Sequence, residues 1–318
     1  MERPLCRGVF AIVLLVTSYL VQIGSRSAAA DLAGETEDGV QPLITTSELV
    51  VGDNRFAFGL LKAGKLLEGA DVKLRLYDID GGEAKLTAEL KVPYQAVKNV
   101  KQEHSVHRHA DGTEHIHGDD SGVRGLYVAQ LSFTRAGDWG VELLVSQAGS
   151  AFEPVRLAIT VAEVASTPSV GSAAPRSRNL VARDVKNLRQ IDTSPRPDPR
   201  LHQVRIADAI AQGKPQLIVF ATPQFCTSRM CGPVVDIVRT LLPTYGKRVA
   251  FIHQEIWQDF ADKKVFPTVE EWRLFTEPWI FVVDGQGIIR AKFEGLVTGS
   301  ELESALQQVV TSGSARRR

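Results

Sequence analysis

Gln216-Leu-Ile-Val-Phe-Ala-Thr-Pro-Gln-Phe-Cys226-Thr-Ser-Arg-Met-Cys231-Gly-Pro-Val-Val235 is the stretch on which the reading of the fold turns. It opens with a nearly unbroken apolar run, the pattern of a strand buried on both faces rather than one with a face in water. Beyond the cysteines, Val234, Val235, Val238, Leu241 and Leu242 recur on one helical face. Outward from this core, Val204 to Gln212 reads as a short helix and Arg248 to His253 as a second buried strand. Thr268 with Glu271, and Ser300 with Glu303, have the spacing of helix-opening capping boxes. The second of these helices turns Leu302, Ala305, Leu306 and Val309 inward. Between the two helices, Trp279–Val283 and Ile288–Phe293 flank Asp284-Gly-Gln-Gly287 and predict a hairpin. The order is β-α-β-α-β-β-α, an α/β domain over residues 201–312.

Upstream, over residues 45–163, the period falls to two. Arg55–Leu61, Asp71–Tyr77, Gly125–Phe133, Trp139–Val145 and Val155–Val161 alternate apolar and polar residues between Gly/Asp turns. That spacing predicts an antiparallel β-sandwich. Residues 164–200 are rich in Ser, Pro, Ala and Arg and read as a linker, with Ser194-Pro-Arg-Pro-Asp-Pro199 held in extended backbone. Two folded domains suit a chain of 318 residues. Residues 1–30 read as a secretory signal: Arg3 and Arg7 precede an apolar run from Gly8 to Ile23, and Ala28-Ala-Ala30 offers small residues for cleavage. The expected location is periplasmic or otherwise extracytoplasmic; an uncleaved signal would instead tether the chain to the membrane. Lys plus Arg equals Asp plus Glu at 37 each. This balance gives no argument for a nucleic-acid partner, the short Arg316–Arg318 tail aside.

Of the three cysteines, Cys6 falls in the signal, so the mature chain keeps Cys226 and Cys231 as an isolated pair in an oxidising compartment. Gly232 as N-cap and Pro233 at the first helical position would start the helix after Cys231, leaving both cysteines in a loop that can close a bridge. Cys231 would then lie by amides that stabilise a thiolate. A start near Ser228 would instead separate the pair by about 140° around the helix, and oxidation would need local unwinding. The simplest alternative role is a permanent staple, although so short a loop gains little from closure.

This element order, with cysteines directly after the first strand and Pro278 directly before the hairpin, resembles the thioredoxin superfamily over Leu201–Val310. The resemblance implies that the cysteine motif opens the first long helix, that Pro278 is a cis-proline lying against it, and that Cys226 is the nucleophile. The motif departs from the family in detail. Four residues separate the cysteines where thioredoxins have two, and Leu217–Ala221 carries no buried acid. Sco copper chaperones leave three residues and add a later histidine, and none follows His253 here. Thr222-Pro-Gln-Phe-Cys-Thr227 is similar to the Thr-Pro-Gly-Cys-Thr of bacterioferritin-comigratory peroxiredoxins. One extra residue puts Thr222 out of register for peroxide, and Glu277 stands where those enzymes have arginine. The Ala136-Gly-Asp-Trp139 turn resembles immunoglobulin-like domains of the YtkA/FixH kind.

A second chemical signal is His104-Ser-Val-His107-Arg-His109-Ala-Asp-Gly-Thr-Glu-His115-Ile-His117. Alternate strand residues share a face, so each His-x-His pair can present two imidazoles together. A two-residue Asp111-Gly112 turn would put the pairs on opposite faces. A three-residue turn would set His107 across from His115 and bring four imidazoles to one face, suited to copper or zinc. Asp119 and Asp120 are further oxygen donors nearby in sequence, while a solvated loop is the plainer alternative. His202 and His253 stand alone in the sequence. His253, at a strand end, reads as a core residue, with Glu255 as a neighbour of the sheet edge where α/β sites form. Three functions follow as expectations: an oxidoreductase acting on extracytoplasmic protein thiols, a copper-handling protein serving a copper-site partner through the hairpin and reduced cysteines, or a binding module with a fixed disulfide.

Overall fold

A computed structural model describes residues 39–97, 106–108, 114–116 and 124–315. The signal expected over residues 1–30 lies outside the described residues, and no described helix is long and apolar enough to cross a membrane. In chain order the strands are β1 (Val40–Ile44), β2 (Gly52–Lys62), β3 (Lys65–Leu66), β4 (Asp71–Asp78), β5 (Lys85–Val92), β6 (Tyr94–Ala96), β7 (Val106–Arg108), β8 (Glu114–Ile116), β9 (Gly125–Phe133), β10 (Gly137–Gln147), β11 (Ser150–Ala151) and β12 (Val155–Val161). There follow α1 (Ile206–Ala211), β13 (Gln216–Ala221), α2 (Cys231–Tyr245), β14 (Ala250–Glu255), β15 (Trp257–Asp259), β16 (Lys264–Val265), α3 (Pro267–Glu271), β17 (Trp279–Val283), β18 (Ile289–Glu294) and α4 (Gly299–Ala315).

The chain is mostly β-sheet, in several antiparallel sheets. One five-stranded sheet runs β1-β2-β9-β6 with β3 on β2; another runs β11-β10-β4-β5 with β12 on β10. Period two sorts their side chains. Phe56, Phe58, Tyr127, Leu131 and Phe133 meet Leu74, Leu76, Trp139 and Val141 in a core between these sheets. Tyr127 is buried there with its hydroxyl satisfied, accepting from the Ala70 amide (2.8 Å) and donating to the Leu67 carbonyl (3.0 Å).

A four-stranded sheet has the order β14-β13-β17-β18, parallel between β13 and β14 and antiparallel elsewhere. Every residue of β13 is buried. Leu217, Val219 and Ala221 enter a core with α2 and α4, whereas Ile218 and Phe220 enter a second core with Trp272, Phe281 and Ile289. The α2/α4 core also takes Ala57, Leu126 and Val128, the residues of β2 and β9 that point away from the first core. The β1-β2-β9-β6 sheet is therefore covered on both faces, which ties the sheets together: residues Glu35–Arg318 form one compact unit.

Local starts differ from expectation for stateable reasons. Helix α3 begins with Pro267 at its first position, and Phe266 rather than Thr268 is the N-cap. At α4 the capping box is Thr298/Glu301: Thr298 Oγ1 accepts from the Glu301 amide (3.2 Å), and Glu301 Oε2 accepts from the Thr298 amide (2.9 Å). The stretch 164–200, read as a linker, holds 3₁₀ turns at Ala182–Asp184, Leu188–Gln190 and Pro199–Leu201. It is a docked strap. Ala173 bridges to Ile288, Ser177 Oγ accepts from Trp272 Nε1 (3.0 Å), and Asn179 Oδ1 accepts from the Ile206 amide at the start of α1 (2.8 Å).

Polar contacts seal the junction between β2 and α4. Arg55 donates to both carboxylate oxygens of Glu301 (2.7 and 3.2 Å) and to the Leu296 carbonyl (2.9 Å). The two side chains are only 12% and 16% exposed. Arg55→Ala strands these acceptors, and we predict a loss of about 2–4 kcal/mol in urea unfolding, discounted from the range for a fully buried pair. An unchanged midpoint would mean that apolar packing alone holds the junction.

Candidate functional site

Strand β13 delivers the chain to the sheet's carboxyl edge at Ala221, and the cysteine loop follows at once. The loop is bent by Phe225 N–H to Thr222 C=O (3.2 Å) and Arg229 N–H to Cys226 C=O (3.2 Å), with Arg229 left-handed at φ 58°. Helix α2 begins at Cys231 with Met230 as N-cap, so Gly232 and Pro233 lie within its first turn. Both thiols are free; Cys226 is half-buried and Cys231 buried.

The two sulfurs differ chemically. Cys226 is pulled down to about 6, first by the Cys231 thiol donating to it, against the opposing effect of burial, then by Ser228 and by the amides of Cys231 and Met230. Its Sγ lies 3.1 Å from Ser228 Oγ. Those amides belong to the N-terminal end of α2, where unpaired N–H groups favour negative charge. Cys231 is pushed well up, chiefly by burial and then by the thiolate beside it, and Glu277 adds to the effect. Glu277 is joined to Pro278 by a cis peptide bond, and Trp279 then starts β17. Burial raises the Glu277 carboxyl, and the negative charges of Cys226 and Glu255 add to this. The carboxyl group absent from β13 is thus supplied by the segment before β17. Phe225, next to Cys226, stacks on Phe260 (centroids 4.2 Å apart, 6° between planes), and Trp257 meets Phe260 edge-on at 5.5 Å.

Behind the loop lies a second cluster. Asp192 comes from the strap, His202 from the residue that caps the Pro199–Leu201 turn and His253 from β14, and exposure is 0%, 1% and 2% respectively. Asp192 Oδ2 is 3.1 Å from His202 Nε2 and 3.5 Å from His253 Nδ1. Its Oδ1 accepts from the Ser194 amide at 2.8 Å. The other ring nitrogen of His253, Nε2, donates to the Ala221 carbonyl (3.1 Å), the last residue before the cysteine loop. Burial alone would raise the Asp192 carboxyl, but His253, His202 and Ser194 outweigh it and hold the group as a carboxylate. Burial likewise disfavours charge on both imidazoles; Asp192 reverses this for His253, while His202 stays lowered. The three side chains are placed so that they can hold a metal ion. Glu255 connects cluster and loop: its carboxylate accepts from Thr193 N (2.9 Å) and Thr193 Oγ1 (2.6 Å), and Thr193 Oγ1 accepts from the Gln224 amide (3.2 Å).

His202 and His253 are therefore not isolated. Their shared partner, Asp192, sits in a stretch whose composition reads as linker, ten residues before His202, so no short-range pattern joins the three. In the histidine-rich hairpin, β7 pairs with β8 and His107 stands opposite His115, the register that a three-residue turn gives. His104, His109, His117, Asp119 and Asp120 lie outside the described residues.

A low thiol pKa is directly visible as thiolate absorbance at 240 nm. We predict a Cys226 midpoint near pH 6, thiolate above it and thiol below, and an upward shift in Cys231→Ala, which removes the main donor. A midpoint of about 8.5 in both proteins, the value of an ordinary thiol, would contradict this electrostatic reading. A scan against protein-family models finds no match for the chain, and a search of curated proteins finds none either.

Proposed function

We propose that the chain is an extracytoplasmic thiol–disulfide oxidoreductase with a thioredoxin-like domain over residues 201–312 and an immunoglobulin-like sandwich over 45–163. The observation that carries the reading is the unequal pair: a half-buried, acidic Cys226 beside a buried Cys231 held as the neutral thiol at the start of a long helix. A structural staple has no use for this asymmetry, whereas exchange needs one thiolate ready to attack and one thiol held in reserve. The order β13-α2-β14-α3-β17-β18-α4, interrupted by the short β15–β16 hairpin after β14, adds support on the side of the fold.

In the forward direction the Cys226 thiolate attacks one sulfur of a substrate disulfide, and the other leaves as a thiolate that takes a proton from solvent. Cys231 then loses its proton to the Glu277 carboxylate and attacks Cys226 Sγ. The second substrate thiol departs and the Cys226–Cys231 disulfide forms, so two electrons pass from the protein to the substrate. The reverse sequence oxidises a dithiol. The partners are protein thiols outside the cytoplasm, reached through the residue 1–30 signal, with membrane association if that signal is retained. The balanced charge supplies no attraction for nucleic acid.

With a disulfide-containing substrate, Cys231→Ser should accumulate a mixed disulfide on Cys226 that intact-mass analysis detects, and Cys226→Ser should accumulate none. Trapping on neither variant would defeat the reading. The His107–His115 register favours a second reading, copper or zinc handling by the hairpin. Copper titration should then show a tight site that is lost when His107, His109, His115 and His117 are replaced by Ala; equal, weak binding by both proteins would exclude a dedicated site.

A further inference from the structure

We propose that Asp192, His202 and His253 form a buried site for one divalent first-row metal ion, Zn(II) being the type case, which clamps the strap to the four-stranded sheet. This goes beyond the thiol chemistry and does not depend on it.

The case begins with His253. Its Nε2–H is used on the Ala221 carbonyl, so Nδ1 is the atom that faces Asp192 Oδ2, across 3.5 Å, with either a lone pair or, in the charged ring, a proton. A lone pair against a carboxylate oxygen in a dry interior requires a positive charge between them. A proton is one candidate, but 3.5 Å is long for an N–H···O bond. A metal ion fits the spacing better. Zinc bound to nitrogen and oxygen at about 2.0–2.1 Å puts tetrahedral ligands ~3.3 Å apart, and the two measured edges on Asp192 Oδ2 are 3.1 and 3.5 Å. The third edge is within reach as well, since all three donor atoms lie within 4.8 Å of one another.

The surroundings are those of a ligand set. A ligating histidine characteristically gives its other N–H to a backbone carbonyl, which fixes its tautomer and aim, as His253 does with Ala221. The Ser194 amide holds Asp192 Oδ1 and leaves Oδ2 to face both rings. Among the described residues Ser194 Oγ, two residues from Asp192, is itself buried without a hydrogen-bond partner. Two imidazoles and a carboxylate form a borderline donor set that selects zinc-like ions over calcium or magnesium. Burial of all three residues means that the ion enters during folding and exchanges slowly in the native protein. Asp192 lies on the strap, His202 directly after its last 3₁₀ turn and His253 on β14, so the ion would pin the strap where Thr193 meets the cysteine loop through Gln224.

The test uses the full chain with Cys226 and Cys231 changed to Ser and His104, His107, His109, His115 and His117 changed to Ala, which removes the competing donors. Refolded with Co(II), it should take up one equivalent with the intense d–d absorption of a four-coordinate nitrogen/oxygen site. Adding His202→Ala or Asp192→Asn should weaken uptake by more than the roughly 100-fold that loss of a group merely orienting a ligand produces. Thermal unfolding of the same background protein needs no further variant: its Tm should climb steadily with Zn(II) concentration. Absence of stoichiometric Co(II) together with a Tm indifferent to Zn(II) would overturn the proposal in favour of a proton. Uptake that survives both substitutions would overturn it in favour of adventitious binding.

Discussion

The strand Gln216–Ala221 must be covered on both faces, because none of its six residues reaches solvent. Alternation sends Leu217, Val219 and Ala221 to the helical side and Ile218 and Phe220 to the other. The helical side is closed by α2 and α4, with α4 anchored through Glu301 to Arg55 of β2. The opposite side is closed by α3, by Trp272 and by the strap that contributes Ala174 and Ile191. This one demand thus recruits the other sheets and the Pro/Ser-rich segment. It also fixes where the strand lets go, at Ala221, which places the cysteine loop at the sheet edge and the Ala221 carbonyl within reach of His253.

Electrostatics then divide the two cysteines. Cys226 collects donors from its neighbours, and Cys231 is set into the core beneath α2. Glu277 works against any second negative charge near them, so the pair favours one thiolate at a time. In the proposed oxidoreductase this is the useful arrangement, since a resolving thiol that ionised early would compete for the substrate. The aromatic stack of half-buried Phe225 on exposed Phe260 beside Cys226 gives the loop an apolar flank.

Much of this was legible because it is written in short-range patterns. The Gln216–Ala221 run, the Asp284–Gly287 turn and the placement of the cysteines all depend on residues adjacent in sequence. The turn works as its sequence suggests, with Asp284 Oδ1 accepting from the amides of Gln286 and Ile288. Helix starts were legible to within a turn, because several Ser, Thr and Gly candidates compete for each cap and tertiary packing chooses among them. What escaped is long-range. Strand β2 alternates as a half-exposed strand does, and only the arrival of α2 and α4 buries its second face at Ala57. The strap has the composition of a linker, yet Ser177, Asn179 and Asp192 find buried partners far along the chain. In the sequence Glu277 stands out only as a departure from the arginine of the peroxiredoxin pattern; the influence of its carboxyl group on the cysteines depends on the fold.

The central claim, that Cys226 and Cys231 exchange electrons rather than staple a loop, rests most directly on one number: the reduction potential of the pair, measured by equilibration with glutathione and quantified by thiol alkylation. A stabilised Cys226 thiolate favours the reduced form, so the account predicts a potential well above about −300 mV, the range below which structural bridges lie. A potential below that range would mean a permanent disulfide and would contradict the account.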